Sequence, residues 1–270
     1  MAFYAEELIF GGTSSRRFGL SIYDFDSVRQ ETNGFQETRD AVEEQLMRKY
    51  RTVYYGSSQN KQLELTFVLG LCQDRVDDGH PLERHEIEAV SQWLTSYDGY
   101  QYLEIVQPDM REYRYRARVS AIELVEQYWD DWAYKITFTC DGPFAYRYPE
   151  TFTYEVSGSC EEQLLSRSTY GGVYYPQIKI EMTNSQNRTV EITNLSASGA
   201  KAMKFENVPT AVSTIYVDTD TKVIYTDSGD NIYPYFNFQY TGLVPGENQL
   251  SINGDCTVEF LCEFPVSIGG

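Results

Sequence analysis

Leu63, Leu65, Phe67, Leu69 and Leu71 alternate with Glu64, Thr66, Val68, Gly70 and Cys72. Successive side chains of an extended strand point to opposite faces, so a period of two makes one face apolar. A helix would scatter the same residues around its circumference, so the segment is predicted as a half-buried strand. Tyr134, Ile136, Phe138 and Cys140 alternate in the same way with Lys135, Thr137 and Thr139. Between them, Tyr113-Arg114-Tyr115-Arg116-Ala117-Arg118-Val119 sets apolar residues against arginine, which makes one face strongly basic. A chain patterned like this is committed to sheets.

One helix interrupts the pattern. Ile87, Val90, Leu94 and Tyr97 fall at helical spacing within Leu82–Tyr97, and Gly99 is placed to end it. Thr38–Lys49 carries only Val42 and Leu46 as an apolar stripe and reads equally as a second helix, an extended arm or a long hairpin. The second half is all strand: 178–182, 190–192, 204–206, 213–217, 222–225, 249–252 and 257–264, joined by Gly, Asn and Asp turns. Short strands at such intervals predict a sandwich or jelly roll. The fold class is therefore mainly β with one helix.

Charge divides the chain. Residues 1–150 hold 16 basic and 26 acidic groups, and 151–270 hold 6 and 14. That shift places a boundary near Pro143–Pro149, or at Ser157-Gly158-Ser159, and domains of 1–148 and 149–270 are expected. The net charge of −18 argues against a nucleic-acid-binding surface, which needs clustered Lys and Arg. No apolar run reaches the roughly 20 residues that span a bilayer, so no membrane partner is expected. Met1-Ala2-Phe3-Tyr4-Ala5-Glu6-Glu7 lacks a basic leader, and a signal peptide is not expected. Cys72, Cys140 and Cys262 fall at strand-core positions and, with Cys160 and Cys256, read as reduced thiols, with a Cys256–Cys262 bridge left open.

Catalytic patterns are missing. His80 and His85 are the only histidines and have no convergent ligands, so neither metal nor cofactor is expected. Asp130-Asp131 lies between Trp129 and Trp132, where an acid beside an indole would suit a glycosidase. A hairpin tip explains the same residues and is preferred. Asp218, Asp220, Asp227 and Asp230 do not match a calcium loop and read as solvated turns. Phe10-Gly11-Gly12-Thr13-Ser14-Ser15 has no following Lys and cradles no phosphate.

The segment Ile9-Phe10-Gly11-Gly12-Thr13-Ser14-Ser15-Arg16-Arg17-Phe18-Gly19-Leu20 resembles the opening of siphophage distal tail proteins. The order that follows is similar too: a polar arm over 30–58, strand 63–72, a helix ending in Trp93-Leu94, Gly99-Tyr100-Gln101-Tyr102-Leu103, then Pro143-Phe144. Tyr216-Val217-Asp218-Thr219-Asp220, Val223-Ile224-Tyr225, Asn231 and Leu243–Leu250 resemble that family's galectin-like C-terminal sandwich. The resemblance implies a virion structural protein at the tail tip, not an enzyme. It implies an N-terminal β-sandwich with one helix and a long arm that forms a homohexameric ring, and a C-terminal sandwich outside it. The ring would join the tail tube protein to the tail-associated lysin or tail fibre hub and often carries receptor-binding proteins, with DNA only passing through.

Six copies would multiply the −18, and acidic residues are expected to line the channel so that DNA does not stick. The arm, with Arg39, Arg48 and Arg51, and the Arg114, Arg116 and Arg118 face are the candidate subunit contacts. A carbohydrate-binding, lectin-like sandwich is the competing reading, since aromatic-rich β-proteins stack sugars on Trp and Tyr. A cytosolic adaptor is the third.

Overall fold

The structure is a computed structural model that describes residues 7–22, 40–44, 50–58, 62–71, 81–127 and 130–267. The chain divides into two compact units, Met1–Tyr146 with Ser267–Gly270, and Arg147–Val266. The first holds β1 (Glu7–Phe10), β2 (Thr13–Ser14), β3 (Leu20–Ile22), β4 (Asp40–Glu44), β5 (Val53–Ser58), β6 (Glu64–Leu71), α1 (Arg84–Thr95), β7 (Gln101–Val106), β8 (Tyr113–Gln127) and β9 (Asp130–Cys140). A short β10 (Ala145–Arg147) follows.

Seven of these strands form one antiparallel sheet in the order β2-β1-β7-β8-β9-β6-β3. Strands β1 and β3 approach each other, so the sheet curls onto its own core. Leu65, Phe67, Leu69 and Leu71 are buried in it with Tyr134, Ile136, Phe138 and Cys140, as alternation requires. The helix begins two residues later than its sequence pattern and ends two earlier. Its Val90, Trp93 and Leu94 are buried, and Ile87 and Tyr97 pack partly against the same core. The polar arm contains the hairpin β4–β5, a two-stranded sheet with a bulge between Val42 and Glu43. Within the described part of 38–49 the extended reading therefore holds over Asp40–Glu44, because two apolar residues are too few to bury a helix face.

The second unit contains β11 (Glu150–Ser166), β12 (Gln177–Met182), β13 (Val190–Asn194), β14 (Met203–Phe205), β15 (Thr214–Asp218), β16 (Val223–Thr226), β17 (Gly246–Cys262) and β18 (Pro265–Val266). Its main sheet runs β14-β13-β17-β12-β15-β16, with β11 along the other flank of β17. Two expectations change here. The segments read as separate strands at 249–252 and 257–264 belong largely to one strand, β17, and Ser157-Gly158-Ser159 lies inside β11 rather than at a break.

The reason is a pair of glycines. Gly158 and Gly254 face each other in the β11–β17 register, with φ of 82° and 138°. Left-handed backbone is open to Gly without a Cβ penalty, so both strands bend at one point without losing their pairing. Before the bend β17 pairs with β13, and after it with β12, so one strand joins the two parts of the sheet. Every even residue from Asn248 to Cys262 is buried, so the alternation runs unbroken through the bend.

Candidate assembly surface

Strand β8 carries the arginine face. Strand β7 pairs with it only at Tyr115, Arg116 and Ala117, whereas β9 pairs with it from Ala117 to Gln127. Beyond Ala117 it therefore runs past the end of the β7 register. A bulge at Ser120, whose hydroxyl donates to the Thr137 carbonyl at 3.0 Å, offsets the strand there. Beside this stretch lies a groove of about 450 Å³, lined by Phe10, Leu94, Tyr97, Gly99, Arg118 and Ile122 among others.

The opening glycine segment and the helix make the inner wall. Trp93 Nε1 donates to the Phe10 carbonyl at 3.0 Å and the Tyr97 hydroxyl to the Gly11 carbonyl at 3.0 Å. Gly11 has φ of 57°, and a Cβ there would lie 2.3 Å from the Tyr97 ring. The Phe10-Gly11-Gly12 turn thus exists to let the helix close onto β1. Farther on, Ser14 Oγ accepts from the Arg16 amide at 3.1 Å, Arg16 pairs with Glu7 at 3.2 Å, and Gly19 at φ 67° ends a 3-10 turn. Phe18 then stacks on Trp93 with centroids 4.9 Å apart.

The three arginines sit at alternate positions of β8 but have different environments. The Arg114 guanidinium lies 3.5 Å over the Tyr102 ring. Arg116 faces Asp141 at 3.6 Å. Burial pushes the Asp141 carboxyl up from its ordinary value, against the lowering by Arg116 and the Tyr146 hydroxyl. Arg118 is exposed on the groove rim. Arg51 is exposed too, 5.2 Å from the ring of Tyr50, itself 89% exposed. Arg39 and Arg48 lie outside the described residues, as do His80, Cys72 and the side chains around Asp130-Asp131. Strand β9 begins at Asp130, paired with Gln127, so the acid pair belongs to the strand and not to a turn.

Among the described residues no three His, Cys, Asp or Glu side chains come together to hold a metal ion. His85 Nδ1 lies 3.1 Å from Glu83 Oε2 at the exposed helix start. The hairpin aspartates close turns. Asp218 accepts from the amides of Asp220 and Thr221, Asp227 from those of Ser213 and Thr214, and Asp230 from the Ser228 hydroxyl. Cys140, Cys256 and Cys262 are buried free thiols, each pushed up to about 12 mainly by burial. No described helix is long and apolar enough to cross a membrane.

Residues 3–142 match the family model described as phage tail protein N-terminal domain, and residues 144–262 match that of the phage tail C-terminal domain. The chain belongs to this phage tail protein family. No curated protein matches it in sequence. Among solved structures, this phage tail chain resembles the phage SPP1 Dit protein at 15% identity and a TM-score of 0.65, over 96% of this chain and 98% of that one. That protein is described as a paradigm of the hub adsorption apparatus in phages infecting Gram-positive hosts. A chain of the phage P2 baseplate in its activated conformation with Ca aligns at 12% identity and TM-score 0.50, over 90% of each chain. At such identities the likeness is one of fold: the phage tail chain has a Dit-like fold, mainly β with one α-helix among the described residues.

Proposed function

We propose that the chain is a non-enzymatic distal tail protein of a siphophage, six copies of which form a ring at the tail tip. The first unit builds the ring. The second, a galectin-like sandwich, stands outside it. The ring connects the tail tube protein to the tail-associated lysin or fibre hub and offers a mount for receptor-binding proteins. The observation that carries this reading is the end-to-end likeness to the SPP1 hub protein together with two phage-tail family matches in the same order along the chain.

The candidate surface supports it. A β8–β9 ribbon that outruns its neighbour, a groove beside it and an exposed arginine on the rim offer shape and charge for a second copy. With Arg114 and Arg116 held by Tyr102 and Asp141, Arg118 is the arginine of the three best placed for that contact, and Arg51 is its counterpart on the arm. The acidic balance suits a channel that DNA crosses without adhering. Electron microscopy of the purified protein tests the reading: class averages with six-fold symmetry and an open centre support it, and isolated single particles contradict it.

A further inference from the structure

We propose that the second unit carries a saccharide-binding surface, an aromatic band of Tyr216, Tyr225, Tyr233 and Phe238 along the β16 edge, that takes chains of uncharged hexoses. This inference stands apart from the ring, since all four residues belong to one sandwich.

Phe238 is the most unusual residue of the unit. It is 61% exposed and has φ of 57°, a backbone that a bulky side chain rarely adopts. The fold holds it there. Asn237 Oδ1 accepts from the amides of Lys204 at 3.1 Å and Gln239 at 3.2 Å, and Asn237 Nδ2 donates to the Ala202 carbonyl at 2.8 Å. Phe238 lies 6.0 Å from the Tyr233 ring at 14° between planes, and 5.6 Å from the buried Phe236. An exposed aromatic fixed in a disfavoured conformation points to a surface kept for a ligand.

Tyr233 ties this pair to the sheet edge, because its hydroxyl accepts from the Ile224 amide at 3.1 Å. On the outer face of the same edge, Tyr216 and Tyr225 stack at 4.8 Å and 10°, with Tyr225 57% exposed. Two nearly parallel ring pairs therefore flank one short strand. Rings of this kind accept the C–H face of a pyranose, and the exposed rims leave hydroxyls to water or to nearby amides such as Gln239.

Charge selects among ligands. Asp218, Asp220, Asp227 and Asp230 surround the β15–β16 hairpin, which disfavours phosphate- or uronate-bearing chains. The one lysine there, Lys222, places its ammonium 3.8 Å over the Tyr175 ring and 4.5 Å from that of Tyr240, and donates to the Thr219 carbonyl. It is thus occupied inside the fold. Val223 is the exposed aliphatic residue of β16 itself, too little for an acyl chain.

The test uses the intact protein with soluble dextran, β-1,3-glucan and β-1,4-galactan, and with poly(glycerol phosphate) as the anionic arm, read by affinity electrophoresis and calorimetry. Binding of at least one neutral chain is expected. Phe238→Asn, which suits the left-handed backbone, and Tyr225→Ala should each weaken it about tenfold or more while the melting curve stays in place. Glu88→Ala, on the exposed side of the helix in the first unit, should leave it unchanged. No neutral chain bound, binding undiminished in Phe238→Asn, or preference for poly(glycerol phosphate) overturns the proposal. So does a fall in oligomer mass caused by Phe238→Asn, which would make the band a contact between copies.

Discussion

The indole nitrogen of Trp93 donates to the carbonyl of Phe10 across 83 residues of sequence, at 3.0 Å. One hydrogen bond thereby joins the last turn of the helix to the Phe10-Gly11-Gly12 turn. Both groups are buried, so neither finds water when the other is removed. Trp93→Phe keeps a ring against Phe18 but orphans the Phe10 carbonyl, and should cost about 1–2 kcal/mol in denaturant unfolding. Gly11→Ala should cost more, about 2–3 kcal/mol, because the added methyl meets the Tyr97 ring and the backbone is left-handed.

The two glycines at the β11–β17 bend should respond unequally. A methyl at Gly254 would lie 2.7 Å from the Thr189 carbonyl, whereas nothing lies within 4 Å of one at Gly158. Gly158→Ala should therefore cost about 1 kcal/mol for the backbone alone, and Gly254→Ala about 2–4 kcal/mol. Thermal unfolding of the two variants side by side checks the order, and equal losses would show that the clash at Gly254 is relieved.

Asn194 and Asn248 form a buried amide pair, with Nδ2 of the first 2.8 Å from Oδ1 of the second. The same Oδ1 accepts from the Val244 amide at 2.8 Å, and Asn248 Nδ2 donates to the carbonyls of Val244 and Gly246, each at 2.9 Å. This fixes the loop that leads into β17. Asn248→Ala leaves several buried groups unpaired and should cost about 2–4 kcal/mol. Hydrogen exchange should show the Val244 amide losing protection first.

The first unit was more legible in the sequence than the second. Strands over 64–71 and 134–140 and the helix follow from local periodicity, which a short window contains. The Asn253-Gly254-Asp255 segment has turn composition, and nothing local shows that it lies beside Ser157-Gly158-Ser159. Pairing across that separation turns two apparent loops into one bend. The alternating arginines of β8 were visible, but not that Tyr102 and Asp141 occupy two of them. The aromatic band was hidden for a similar reason: strands β15 and β16, the 3-10 turn Tyr233–Tyr235 and the loop after it each supply part of it.

Acid should weaken the second unit through Asp255. The Gly158 amide and then Asn184 hold its carboxyl below the usual carboxylate range. A carboxyl depressed on folding adds stability above its unfolded pKa and loses it as pH falls through the folded value. The gap between the parent and Asp255→Asn should therefore close on acidification. Asp141, pushed up by burial, has the opposite sign: its stabilising share is present below the ordinary carboxylate value and lost as pH rises through the raised one. Relative to Asp141→Asn the parent should therefore gain stability on acidification, in melting curves recorded across the acid range.

Arg116 and Arg118 should separate subunit stability from assembly. Arg116→Ala removes an ion pair whose arginine is half exposed and whose Asp141 is largely buried, and should cost about 1 kcal/mol. Arg118→Glu should leave the melting curve in place and lower the oligomer mass, because its side chain meets solvent within the subunit.

Light scattering of the purified chain gives the most direct reading of the ring. Six copies of the 31.1 kDa chain give a particle of about 187 kDa, the mass expected at micromolar concentration. A single species near 31.1 kDa at every concentration would contradict a ring-forming tail protein.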